Sequence, residues 1–227
     1  MSKTETLDKI YNDPANPGGF SSQRKLLQNA KLLRNDISLK DVKDYLSSQP
    51  SYTRHGNVPN KFIKSRVFIP EGAGFLLSSD LGDFSSLKNY NDGVRFLMFL
   101  IDCFSRKLWV IPLQDKKGHT IAETLDRFLS SNKYRYTLLW VDNGPEYYNT
   151  PTQKICNKYG LKMYSVYNRR QKASYAERAI RSIKEKLYKI MTQRNTNRYI
   201  DFLQDVVDSY NNSQTQRLIG SLSERNP

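Results

Sequence analysis

Three acids in this chain sit where strands end and a helix begins, which is where carboxylates can be brought together to hold a hard cation. Thr137-Leu138-Leu139-Trp140-Val141-Asp142-Asn143-Gly144-Pro145-Glu146 is an apolar run of strand length that ends in an acid and turns at once. Upstream, Phe75-Leu76-Leu77-Ser78-Ser79-Asp80-Leu81-Gly82-Asp83 predicts a second strand with an acid inside it. Downstream, Ala173-Ser174-Tyr175-Ala176-Glu177-Arg178-Ala179-Ile180 opens a long helix and puts Glu177 in its first turns. Two strand-borne Asp and one helix-borne Glu make a cluster suited to Mg²⁺, which takes oxygen ligands and keeps several waters. Two such ions about 3.5–4 Å apart clamp the attacking and leaving oxygens of a phosphodiester. The chemistry would be cleavage or joining of a nucleic-acid strand, with water or a 3′-hydroxyl as nucleophile.

Each acid also has a plainer reading. Asp142-Asn143-Gly144 is a good turn former on its own, and Glu177 near a helix start is favourable with the helix dipole. Asp83 competes with Asp80, but alternation along a strand sends residues 80 and 83 to opposite faces, so only one can join the cluster. Asp102 reads as a turn acid at a hairpin.

The ordered set resembles the D-D-E triad of retroviral-type integrases: Asp80, then Asp142 with Asn143-Gly144, then Glu177-Arg178. The 34 residues between Asp142 and Glu177 are about one fewer than is usual for that family. Ile101-Asp102-Cys103-Phe104-Ser105-Arg106-Lys107-Leu108-Trp109-Val110-Ile111-Pro112-Leu113 is similar to its second and third strands, and Tyr210-Asn211-Asn212 to its closing helix. Leu7-Asp8-Lys9-Ile10-Tyr11-Asn12-Asp13-Pro14 and Asp41-Val42-Lys43-Asp44-Tyr45-Leu46 resemble the N-terminal part of integrases of Maverick or Polinton transposons. The resemblance covers roughly residues 7–220 and picks Asp80 over Asp83.

That resemblance implies an RNase H-like fold. It implies Mg²⁺-dependent cleavage and strand transfer of element DNA ends into target DNA, with two Mg²⁺ ions for which Mn²⁺ can substitute. Asp80 would bridge both ions, Asp142 would bind one and Glu177 the other. Asn143 and Glu146 would support the site. The implied partners are the DNA of element termini and target and further copies of the chain, in the host nucleus. The alternatives are a catalytically inactive, host-retained DNA-binding protein with the same fold, or an RNase H-like nuclease of other specificity. The chain departs from the family in lacking its Trp before the first Asp, where Phe75-Leu76-Leu77-Ser78-Ser79 stands. It also lacks the family's His near Gln216 and its Pro after the Gly, reading Arg217-Leu218-Ile219-Gly220-Ser221 instead. A small C-terminal β or chromo-like domain, frequent in such relatives, does not follow before Pro227, which reads as a truncated or decaying copy.

Composition agrees with a nucleic-acid partner. The 227 residues carry a net charge of +14 with a pI near 9.7, which calls for a polyanion. Residues 168–198 hold ten Lys or Arg against two Glu. Arg169, Arg170 and Lys172 precede the helix of Glu177, and Arg181 and Lys184 follow Glu177 by four and seven residues, on its own face. These five are the expected DNA contacts, the plain alternative being a solvated helix face. The longest strictly apolar run, Phe96 to Ile101, is far too short to span a bilayer, and the polar N-terminus has no signal-peptide core. Cys103 and Cys156 suggest no disulfide framework. His55 and His119 are the only histidines, so the paired His and Cys spacing of the zinc-binding domain in retroviral integrases is missing.

The elements that must position these residues follow from periodicity. Residues 1–50 read as a small helix-turn-helix-like unit: a loop at 13–19, a helix bearing Leu26, Leu27, Ala30 and Leu33, then a Ser38/Asp41 capping box, a stripe of Leu39, Val42, Tyr45 and Leu46, and a stop at Pro50. Whether this unit touches DNA or only packs stays open. Residues 51–73 read as a basic linker, 74–220 as the core and 221–227 as a tail. Within the core the expectation is an α/β, five-stranded mixed sheet flanked by helices. Its strands are one ending near Gly82 or Phe84, then Gly93–Asp102, Lys107–Leu113, one ending at Asp142, and Leu161–Val166. Helices are expected at 120–129, 152–159, 172–194 and 198–212.

Overall fold

The computed structural model describes residues 2–55, 71–165 and 174–223. By its internal contacts the chain divides into two compact units, residues 62–181 and residues 1–61 with 182–227.

The first unit is built on a mixed sheet. Strands β1 (Leu76–Asp83), β2 (Phe96–Asp102), β3 (Leu108–Leu113), β4 (Leu138–Trp140) and β5 (Lys162–Tyr164) stand in the order β3-β2-β1-β4-β5. β1–β2 and β2–β3 are antiparallel, while β1–β4 and β4–β5 are parallel. This is the expected RNase H-like architecture. β2 is buried from Leu97 to Asp102, as its unbroken apolar run requires of a strand covered on both faces. It starts at Phe96 rather than Gly93 because Asp92 and Gly93 both take positive φ, 54° and 78°, and so form a turn.

Between strands the chain crosses over through helices. Among the described residues, the order in this unit is β1, β2, β3, then α5 (Gly118–Ser131), β4, α6 (Thr150–Lys158), β5 and the start of α7 (Ser174–Gln193). Ile121, Leu125, Phe128 and Leu129 of α5 and Cys156 of α6 close over Leu77, Met98, Leu100, Leu113 and Leu139 of the sheet. Each fully buried leucine there contributes about 1.5–3 kcal/mol. Leu77 and Leu81 face this core. Alternation therefore sends Leu76, Ser78 and Asp80 to the opposite face of β1.

The second unit is helical. It comprises α1 (Lys3–Tyr11), α2 (Gln23–Leu33), α3 (Leu39–Ser47), α4 (Pro50–Thr53), the part of α7 from Ser182, and α8 (Leu203–Ser223), which follows a 3₁₀ turn at Ile200–Phe202. The Ser38/Asp41 capping box forms as read, and a Ser2/Glu5 box starts α1 in the same way. Pro50 does not stop α3: Ser48 is already its C-cap, and Pro50 opens α4, where its fixed φ is an asset. The helices before residue 55 group with α8 and the end of α7 instead of standing apart. Ser209 on α8 donates to the Asn16 carbonyl at 2.7 Å and accepts from Lys186 on α7 at 2.7 Å. The contact boundaries thus differ from breaks at residues 50, 73 and 220. The basic segment 56–70 lies outside the described residues.

Candidate active site

All three candidate acids belong to the sheet unit. The parallel β1/β4 ladder pairs Leu76 with Leu138, Leu77 with Leu139 and Ser78 with Trp140. Carried two residues further, that register would set Asp80 level with Asp142, on the face away from the α5/α6 core. β4 itself ends at Trp140, but the next residue keeps to the sheet, with the Val141 amide donating to the Tyr164 carbonyl at 3.1 Å. The charge of Asp142 acts on the Asp80 carboxyl, which puts the two acids within electrostatic reach of each other. Asp80 is half-buried, while Asp142 and Glu177 are exposed.

The electrostatics of Asp80 record the other acids. Burial pushes its carboxyl up to about 6, and the negative charges of Asp142, Glu177 and Glu146 push the same way. The Leu81 amide, which donates to Asp80 Oδ1 at 2.8 Å, opposes them. Asp83 is exposed and instead accepts from the Ser85 amide at 2.8 Å, a local turn role. As placed, no three His, Cys, Asp or Glu among the described residues stand together closely enough to hold a metal ion. The donor chemistry nonetheless suits a hard divalent cation: oxygen ligands, an excess of negative charge and one half-buried carboxylate. Exposed Asp142 and Glu177 reach other rotamers at little cost.

The Asp142 loop is tightly built. Gly144 accepts from the amides of Tyr147 and Tyr148 at 3.1 and 3.0 Å. A Cβ at Gly144 would collide with the carboxylate of Glu146, so glycine is what lets that acid fold back over the turn. Asn149 caps α6 by accepting from the Thr152 amide at 2.9 Å, and its Nδ2 donates to the carbonyls of Pro145 and Glu146. Tyr147, fully buried, plugs the α5/α6 core and meets Ser79 through its hydroxyl, Oη to Oγ 2.7 Å. Sequence alone does not single out Ser79 or Tyr147; the available signal was a pair of adjacent tyrosines, Tyr147 and Tyr148, inside an otherwise polar turn.

A second set of contacts holds the start of α7. Tyr175 packs edge-on to Trp140 with centroids 6.5 Å apart, and the Arg106 guanidinium lies 3.7 Å over its ring. Arg106 takes a positive φ of 63° to do this, a conformation that disfavours a residue with a Cβ. Asp102 fixes the hairpin behind it. The sequence marked it as a turn acid, and it is fully buried. It accepts from the amides of Gly74, Phe104 and Ser105 and from the Ser105 hydroxyl, at 2.7–3.0 Å.

Of the expected DNA contacts, Arg169, Arg170 and Lys172 lie outside the described residues. Arg181 is exposed at the edge of the sheet unit, whereas Lys184 is half-buried and belongs to the helical unit. Asn143 is exposed beside Asp142. Among the described residues no helix is long and apolar enough to cross a membrane.

Residues 77–169 match the family model of the integrase core domain. A transposon-derived protein of Caenorhabditis elegans is 38% identical over 129 residues, 57% of this chain and 45% of that protein. The Pol polyprotein of feline endogenous virus ECE1 is 26% identical over 110 residues, 48% of this chain and 10% of that one. The chain thus spans less than half the length of the curated relatives it matches. Among solved structures, a chain from the simian T-cell lymphotropic virus intasome in complex with PP2A regulatory subunit B56 gamma aligns with a TM-score of 0.55 at 17% identity. That alignment covers 82% of this chain and 67% of the viral one. The resemblance to retroviral-type integrase cores therefore holds in sequence over the core strands and in fold.

Proposed function

We propose that this chain is the integrase of a mobile element, cutting and joining DNA ends in the nucleus of its host. The observation that carries the reading is the charge of Asp142 and of Glu177 reaching the Asp80 carboxyl, beside a β1/β4 ladder that ends two residues before each Asp. The core-domain match and the transposon-derived relative support the same reading. Asp80, Asp142 and Glu177 would hold Mg²⁺, or Mn²⁺ in its place, and a cation held there supplies polarisation of a phosphoryl oxygen and a more acidic attacking water or hydroxyl. Asp80, rigid on β1, is the fixed member. Asp142 and Glu177 turn in from the strand end and the helix. Glu146, folded back over Gly144, adds negative charge that favours a positive partner at Asp80, proton or cation alike. Arg181, with Arg169, Arg170, Lys172 and Lys184, would hold DNA phosphates, and several copies of the chain would assemble on one pair of ends.

A second reading, a DNA-binding protein that keeps the fold without catalysis, is favoured by one observation: the acids as placed do not close into a metal set. Incubating the protein with supercoiled plasmid and Mg²⁺ or Mn²⁺ separates the two. The integrase reading expects nicked plasmid that depends on the metal; binding without any nicking would favour the second.

A further inference from the structure

The hydroxyls of Tyr147 and Ser79 meet at 2.7 Å inside the protein, and both residues are fully buried. They are 68 positions apart in sequence, and each adjoins the candidate site. Ser79 immediately precedes Asp80 on β1, and Tyr147 ends the turn that begins at Asp142. The phenol ring is gripped by the α5/α6 core, while the Gly144 and Asn149 bonds fix the turn around it. The β1/β4 ladder itself stops at Ser78 and Trp140, two residues short of the acids. Beyond that point, among the described residues, the Tyr147–Ser79 bond is the side-chain link from the Asp142 turn back to β1.

We infer that Tyr147 is a positioning residue, acting with Ser79 as a strut that sets the separation of Asp80 and Asp142 and hence the affinity of the pair for a divalent cation. This rests on the metal-binding reading above. Apolar packing alone does not need the hydroxyl, since phenylalanine would fill the same core. A buried hydroxyl pair between a strand and a turn is a cost unless both groups are satisfied, and here they satisfy each other. Removing one hydroxyl leaves the other buried and unpaired and frees the turn to shift away from β1.

The test is Mn²⁺ binding to the full chain, followed by electron paramagnetic resonance of the free ion, with amide hydrogen exchange of residues 143–148 measured without metal. Tyr147→Phe should weaken Mn²⁺ binding about tenfold, the usual effect of losing a group that orients a metal ligand, and should speed exchange in the turn. Ser79→Ala, which removes the other end of the strut and guards against a folding defect peculiar to the Tyr variant, should do the same. The double variant should be little worse than either single one. Wild-type affinity and unchanged exchange in both single variants would overturn the inference while leaving the metal reading intact. Absence of Mn²⁺ binding by the unaltered protein would overturn the metal reading itself, and the strut's role with it.

Discussion

Ser78 on β1 and Trp140 on β4 are partners in a parallel ladder, and each is followed two residues later by an aspartate. The ladder ends two residues short of each acid, and like charges brought near one another cost energy unless a proton or a cation relieves them. Burial raises the pKa of Asp80 most, and the neighbouring negative charges add to it.

Asp80→Asn should therefore stabilise the metal-free protein at neutral pH. The sign follows from the shift: between pH 3.8 and about 6 the folded state binds more protons at Asp80 than the unfolded state. Stability is thus lost as pH rises through that window. Asn keeps the shape and the acceptor for the Leu81 amide without the charge. Thermal melting in chelator at pH 7.5 should show a gain on the order of 1–2 kcal/mol, and added Mg²⁺ should raise the melting temperature of the wild type but not of the variant. A loss of stability in Asp80→Asn would show that the carboxylate is satisfied by partners other than a cation.

The helical unit makes a separate pH prediction. Lys186 is buried, donates to Ser209, and has its pKa lowered to about 7 by desolvation, helped by the positive charges of Lys25 and Lys189 and opposed by Glu185. The unfolded state then binds the extra proton between pH 7 and the ordinary lysine value of 10.5, so the contribution of Lys186 to stability rises with pH across that window. Lys186→Met should stabilise at pH 7 by on the order of 1–3 kcal/mol and by less at pH 9.5. Urea denaturation of both proteins at the two pH values checks this, and an equal effect at both would refute it.

DNA affinity should fall by about tenfold for every two phosphates neutralised as salt rises from about 50 to about 200 mM. Arg181→Ala should lower the slope of log affinity against log salt by about one. Fluorescence anisotropy with a labelled duplex measures it, and an unchanged slope would remove Arg181 from the contact surface.

Much of the sheet was legible because strands declare themselves by composition. The apolar run of β2, the strand-ending Asp142 and the early-helix Glu177 all stand where residue types put them. What was not legible is which element meets which. Leu26, Val42 and Leu46 told that α2 and α3 have an apolar face, and nothing in that spacing says that α8 reaches the same unit through Ser209 and Asn16. Ser79 and Tyr147 look ordinary in sequence and matter only because the fold joins them. Glu185 shows the same limit. On its helix it reads as a neutral surface acid, yet it bonds Lys189 Nζ at 2.7 Å, and that lysine is only 2% exposed. Removing the charge of Glu185 would strand a buried cation.

If Glu177 is a metal ligand and not merely a helix-start acid, strand transfer depends on its charge. DNA carrying the ends of the chain's own element is incubated with Mg²⁺ or Mn²⁺ and target plasmid, using wild type, Glu177→Gln and, as control, Glu123→Gln, an exposed acid on α5. Gln fits a helix nearly as well as Glu, so both variants should fold and bind DNA, with Glu177→Gln binding as tightly as wild type or more tightly. Joined product should fall by at least about a hundredfold in Glu177→Gln, roughly 2.7 kcal/mol of barrier, and stay near wild type in Glu123→Gln. Near-normal joining by Glu177→Gln, or an equal loss in Glu123→Gln, would contradict the account.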